Sequence, residues 1–192
     1  MSDNVKKLGN KNFCVENVGN ALNSKGEKKN KLKCVSGSIE SEYFAENEIL
    51  NNPHIYNSSE TRSVKSGDLV RLAFNSKNEI SDVVIYASCA EKNLSQYEIS
   101  LDKTNSAMNS SIVICSGVLA DAGDDAFMVE VNGNLSEYIH PLNSSTKFFV
   151  YNSRNKSFEN VSREYFASKS GKRIFVHKRF DVVMTVVILE EK

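Results

Sequence analysis

The chain has 192 residues, 40% of them apolar and none tryptophan, and its 24 basic residues balance 24 acidic ones. Zero formal charge leaves no overall field to draw it onto nucleic acid or anionic lipid, and no apolar run reaches the ~20 residues of a membrane-spanning helix. Proline occurs only twice while Asn and Ser abound, so tight turns must come from Asn, Ser, Asp and Gly.

Residues 1–10 are polar and Lys-rich and read as a flexible tail. Residues 13–18 are the first expected strand. Asn23-Ser24-Lys25-Gly26-Glu27 turns the chain into residues 31–35, whose alternation suits a half-buried strand. Ser36-Gly37-Ser38 leads to a third strand at 39–44, and 45–63 reads as loop. Ser66-Gly67-Asp68 is a turn, 69–74 a strand, 75–79 a hairpin loop and 80–86 its return strand. Residues 91–111 are weakly patterned and read as a connector. Beyond them come strands at 112–119, 127–131 and 135–139, the last two joined by Asn132-Gly133, a type I′ hairpin marker. A buried strand at 147–151 follows. The stretch 157–167 holds the one short helix, with Asn160 or Ser162 as its cap, and strands at 173–177 and 182–189 close the chain.

Two of these stretches are near copies. VKSGDLVRLAFNSKNEISDVVIY at 64–86 matches SKSGKRIFVHKRFDVVMTVVIL at 168–189 in a Lys-Ser-Gly start, an apolar strand, a polar break and a β-branched strand. Upstream, Tyr56-Asn57-Ser58 is echoed by Tyr151-Asn152-Ser153, and Gly37-Ser38-Ile39 by Gly133-Asn134-Leu135. A long-period repeat implies repeated architecture. The expected fold is all-β: two small antiparallel barrel or sandwich modules in tandem, at 11–90 and 112–192, with at most one or two short helices.

Reactive signatures are missing from the sequence. It has no phosphate-cradling Gly-rich loop, no G-x-S-x-G elbow and no H-E-x-x-H pair. Cys14, Cys34, Cys89 and Cys115 form no C-x-x-C pair and His54, His140 and His177 are scattered, so the cysteines read as reduced, buried apolar groups rather than zinc ligands. Asp124-Asp125 beside Gly123 reads as a solvated turn tip, because calcium needs more oxygen ligands at set spacing. Asp68, Asp82, His140 and His177 have no spacing that recommends them as a catalytic set. The expectation is a non-enzyme without cofactor, metal or small-molecule ligand, whose partners are other protein subunits. Two basic groups are the candidate partner contacts: Lys28, Lys29 and Lys31 in the first hairpin, and Lys172, Arg173, Lys178 and Arg179 in the last. Tyr43 and Phe44 lie near the first group, and Phe175 and Phe180 flank the second. Basic groups beside aromatics also define the alternative reading, a small barrel that binds single-stranded nucleic acid.

Gly67 to Arg71, the loop Asn75 to Glu79 and the return strand Ile80 to Ile85 resemble the β domains that accompany S-layer homology repeats in clostridial surface proteins. Similar small barrels occur in phage virion and tail components. Gly117-Val118, Phe149-Val150-Tyr151 and Val182 to Leu189 fit the same template, which departs at Gly171-Lys172, where Gly-Asp is expected. The resemblance implies a structural or adaptor role in a cell-surface or virion assembly, although no S-layer homology repeat is visible. The N-terminus has no apolar h-region. The expected location is therefore the outside of the cell or a virion if an assembly carries the chain there, and the cytoplasm if Met1 is the native start and none does.

Overall fold

The computed structural model describes residues 8–36, 39–46, 48–55, 59–90, 97–100, 112–179 and 182–190. It is nearly all β, with two separate sheets and a single short helix among the described residues. The chain divides into two compact units, Met1–Ala90 and Glu91–Lys192.

In the first unit β1 (Leu8–Leu22), β2 (Lys28–Ser36) and β3 (Ile39–Phe44) form a meander, β4 (His54–Ile55) is very short, and β5 (Asp68–Phe74) and β6 (Ile80–Ser88) form a hairpin. The sheet order is β3-β2-β1-β5-β6-β4. Pairing is antiparallel except between β4 and β6. Just past β3, Ala45 bridges Ile80 in parallel and the Glu46 amide donates to the Ile80 carbonyl at 2.9 Å. The sheet thus curls until the segment just past β3 meets the start of β6, while β3 itself stays at the edge.

The second unit contains β7 (Tyr97–Ser100), β8 (Ile112–Ala122), β9 (Ala126–Val131), β10 (Asn134–Pro141), β11 (Lys147–Asn152), β12 (Ser157–Val161), α1 (Arg163–Ala167), β13 (Arg173–Arg179) and β14 (Val182–Glu190). Its order is β10-β9-β8-β13-β14-β11-β12, with β7 alongside β8. From β10 to β11 this is the first unit's order strand for strand, including the one parallel pairing, β11 on β14.

Register agrees as well. Val15 faces Cys34 and Leu119 faces Val129, and in each unit a bulge follows at once, before Asn17 and before Asp121. The amide of Gly67 donates to Val15 at 2.8 Å, and that of Gly171 to Leu119 at 2.7 Å. Both glycines have positive φ, 91° and 81°, a backbone that only glycine adopts without cost. The Lys-Ser-Gly echo is therefore one turn built twice. Each unit closes its own core. Val15, Leu32, Cys34, Val70, Leu72, Val83 and Ile85 pack in the first, and their register equivalents Leu119, Phe127, Val129, Ile174, Val176, Val186 and Ile188 in the second.

The structure corrects four expectations. Strand β1 starts at Leu8, inside the expected tail, because Leu8 to Cys14 pair with β5; residues 1–7 lie outside the described set. Most of the expected connector is also outside it, but Tyr97–Ser100 pairs with β8 and belongs to the second unit. The sheets are not purely antiparallel, since each takes back one strand in parallel. The echo between Gly37-Ser38-Ile39 and Gly133-Asn134-Leu135 is one residue out of register: Ser36 faces Ile39 as Val131 faces Asn134, which makes Ile39 equivalent to Asn134. Residues 37–38 and 56–58 lie outside the described set.

Asn makes the turns. The side-chain oxygen of Asn23 accepts from the amides of Lys25 and Glu27, both at 2.9 Å, and Asn75 does the same for Lys77 at 2.8 Å and Glu79 at 3.0 Å. The loops NSKGE and NSKNE are thus one design, with Gly26 or Asn78 taking the positive-φ position. Asn132 and Gly133 both have positive φ, 53° and 78°, the backbone of the expected type I′ turn. At α1, Ser162 is the cap and its hydroxyl accepts from the Tyr165 amide at 3.2 Å. Five residues are too few to hold a helix alone. Phe166 anchors it between Phe127 and Phe148, at centroid distances of 5.2 and 4.9 Å, a burial that contributes roughly 1.5–3 kcal/mol.

Candidate interaction surface

The lysines of the first hairpin lie on β2, where period-2 alternation sends every second side chain away from the core. Those positions are tied to carboxylates. Lys29 pairs with Glu79, Lys31 with Glu42, and Lys33 with Glu16 at 2.9 Å and Glu40 at 3.1 Å. Hydrogen bonding to these carboxylates raises the Lys29 and Lys33 ammonium groups above their ordinary range, and the Lys29 bond holds Glu79 below its own. Lys31 also lies 5.9 Å from the Phe44 ring centroid. Of the three proposed contacts in this hairpin only Lys28 is exposed and outside any ion pair among the described residues.

The second basic group is not one surface. Lys172 is exposed at the end of its turn and Arg173 half-buried, while the Arg179 side chain and Phe180 fall outside the described residues. Lys178 is only 7% exposed, which removes it from the candidate contacts. It lies on the inward face of β13 with Ile174 and Val176, and it disfavours a second positive charge on His140. His140 is fully buried, stacked on Phe127 at 4.9 Å, with neither ring nitrogen hydrogen-bonded among the described residues. Burial first, then Lys178, lowers its pKa to about 4, so the imidazole is neutral at neutral pH.

The other reactive side chains serve the fold. Asp68 is fully buried and accepts from Arg62 at 2.7 and 2.8 Å and from the Lys65 amide at 2.8 Å, which ties the Lys-Ser-Gly-Asp turn to the preceding loop. Asp82 lies toward the other end of that hairpin, 3.4 Å from Arg71. An open cleft of about 370 Å³ brings Asp82 together with Glu48, Pro53 and His54, a pairing no sequence motif announces. His140 faces a core and His177 lies one residue from inward-facing Val176, so the two histidines occupy opposite faces of the second sheet. All four cysteines are buried free thiols; desolvation raises Cys14 and Cys89 well above the normal thiol range and Cys34 to about 12. Asp124 and Asp125 are exposed at the β8–β9 turn.

One exposed region stands apart, and no sequence pattern singled it out. Edge strand β10 presents Leu135, Tyr138 and Ile139, 55, 62 and 60% exposed. Its pairing with β9 jumps from Leu135–Glu130 to Ile139–Met128, so three residues bulge opposite one and Tyr138 is carried out on the bulge. Opposite residues share a face, which sets Leu135 and Ile139 outward with Glu130 and Met128 while His140 points in with Phe127.

No family model matches the chain, and no curated protein matches it. Among the described residues no helix is long and apolar enough to cross a membrane.

Proposed function

We propose that this chain is a non-enzymatic structural or adaptor protein whose tandem β modules serve as a spacer or docking piece in a larger assembly, on a cell surface of the S-layer type or in a phage virion or tail. The observation that carries this reading is the repeated architecture: two units with one strand order and register, each closed around its own core. The side chains that supply chemistry elsewhere are absorbed by this scaffold, Asp68 in a buried ion pair and His140 in a core. Rigid sheets of this kind dock through edges and loops, with strand addition as the general mode. The nucleic-acid alternative loses its footing because Lys29, Lys31 and Lys33 are already neutralised by carboxylates.

Fractionation of cells and particles that carry the protein tests the proposal. Quantitative mass spectrometry is expected to find it sedimenting with envelope or virion material at a fixed copy ratio to the other components. Recovery solely as free monomer, or substrate turnover that a point mutation abolishes, overturns it.

A further inference from the structure

We infer that β10 is the docking edge of the second module, and that its partner is an extended segment of another protein that carries apolar residues and Lys or Arg on one face, added as a further strand. The inference rests on the docking role proposed above and names the surface and the chemistry of what binds there.

The two modules provide an internal comparison. Strand β3 holds the place in the first sheet that β10 holds in the second. It is guarded as free edges usually are, with Glu40 and Glu42 bridged to Lys33 and Lys31 on the neighbouring strand, and with Ile39 as its single large exposed apolar residue. The far edge of the second sheet, β12, buries Phe158 and exposes Glu159 and Asn160. Only β10 combines an edge position, three large exposed apolar side chains and no ion pair among the described residues. Exposed apolar patches of this kind mark interaction sites.

Charge defines the partner. Between Ile112 and Pro141 the meander β8-β9-β10 carries Asp121, Asp124, Asp125, Glu130 and Glu137, without one Lys or Arg, in a chain whose net charge is zero. None of the five carboxylates forms an ion pair among the described residues. Arg163 reaches this meander at the backbone carbonyl of Asp124. A strand laid along β10 meets Leu135 and Ile139 with Glu130 and Glu137 beside them, so a segment that carries apolar residues and cations together on its outward face, at every second position, complements it. Two copies paired through β10 would instead bring two acidic meanders together, and like charges across strands destabilise.

The test uses the full chain and a fluorescent peptide of Lys-Thr-Val-Thr repeats, which puts Lys and Val on one face and Thr on the other, in fluorescence anisotropy, beside the same peptide with Glu for Lys and a third with alternate amides N-methylated. Ile139→Lys guards the edge, and Ile39→Lys on β3 is the control; both are exposed sites where circular dichroism and thermal melts are expected to match the parent. The basic peptide is expected to bind at least about tenfold tighter than the acidic one. N-methylation is expected to abolish binding, Ile139→Lys to weaken it about tenfold, and Ile39→Lys to leave it unchanged. No binding, equal binding of both peptides, survival of N-methylation or indifference to Ile139→Lys overturns the inference. So does a concentration-dependent dimer in sedimentation that Ile139→Lys dissolves, which gives the edge to a second copy. Peptide binding by a chain that fractionates as free monomer sinks the assembly role alone; fixed-ratio fractionation without peptide binding sinks the β10 edge alone.

Discussion

Asp68 holds Arg62 through two hydrogen bonds, of 2.7 and 2.8 Å, with its carboxylate wholly removed from solvent. Removing the Asp68 carboxylate takes both of these hydrogen bonds from Arg62 and leaves the Lys65 amide without its acceptor. Asp68→Ala is expected to cost the first unit about 3–5 kcal/mol, and the double variant Asp68→Ala/Arg62→Met distinctly less than the sum of its singles. Urea unfolding of all four proteins checks this, and additive costs would mean the pair is not coupled.

Gly67 and Gly171 occupy one turn in two places, so they are expected to respond alike. Each amide donates to a core-strand carbonyl and each backbone has positive φ. Alanine at either is expected to destabilise by roughly 1–2 kcal/mol, the cost of a Cβ in the left-handed region. Thermal melts of the two variants are the measurement; a loss at one site and none at the other would mean the turns are not equivalent.

At Gly117 the constraint is space rather than backbone angle. A Cβ there would sit 2.4 Å from both the Glu130 carbonyl oxygen and a Val129 methyl on β9. Gly117→Ala must push β9 off β8, at an expected cost of about 1–3 kcal/mol for overpacking. Stability equal to the parent's would show that β9 yields freely.

His140 makes the second unit acid-sensitive. Its folded pKa of about 4 lies below the ordinary imidazole value, so the unfolded chain takes up a proton between about pH 6.5 and 4 that the folded chain refuses. Stability from this group is complete above that window and falls as pH drops through it, by an amount on the order of 3 kcal/mol. His140→Phe is expected to flatten that part of the pH profile in urea titrations at pH 7, 5.5 and 4. Parallel profiles for parent and variant would mean His140 is already charged when folded.

Desolvated thiols react slowly. Cys14, Cys34 and Cys89 are buried with pKa values raised by burial, and Cys115 is buried beside them in character if not in place. Ellman's reagent is therefore expected to label the native chain far more slowly than the chain in urea, because the thiolate is the reactive form. Fast labelling of the native protein would show an open thiol.

Most of the strands were legible because alternation and Asn-rich turns are local signals, and Ser162 was visible as a cap for the same reason. The repeat was legible where both copies keep Lys-Ser-Gly. It slipped by one residue at Gly37 and Gly133 because a glycine marks a turn without saying which position of the turn it fills. The ion pairs were not legible: Lys29 finds Glu79 fifty residues on, through a sheet contact with no sequence signature. Neither was the interior place of Lys178, since a lysine in alternation ordinarily faces water. The exposed apolar run of β10 reads as an ordinary strand until its edge position is known.

In the second sheet the strand latest in chain order among those described, β14, is an inner one, gripped by β13 on one side and by β11 on the other. Thr185 to Glu190 must find Lys147 to Asn152, made well before them. Without β14 no strand joins β11 and β12 to the rest of the sheet, so a chain cut ahead of Val182 would keep that hairpin only by side-chain packing such as Phe148 on Phe166. This sheet is thus close to all or nothing, its closure waiting on the nine residues of β14.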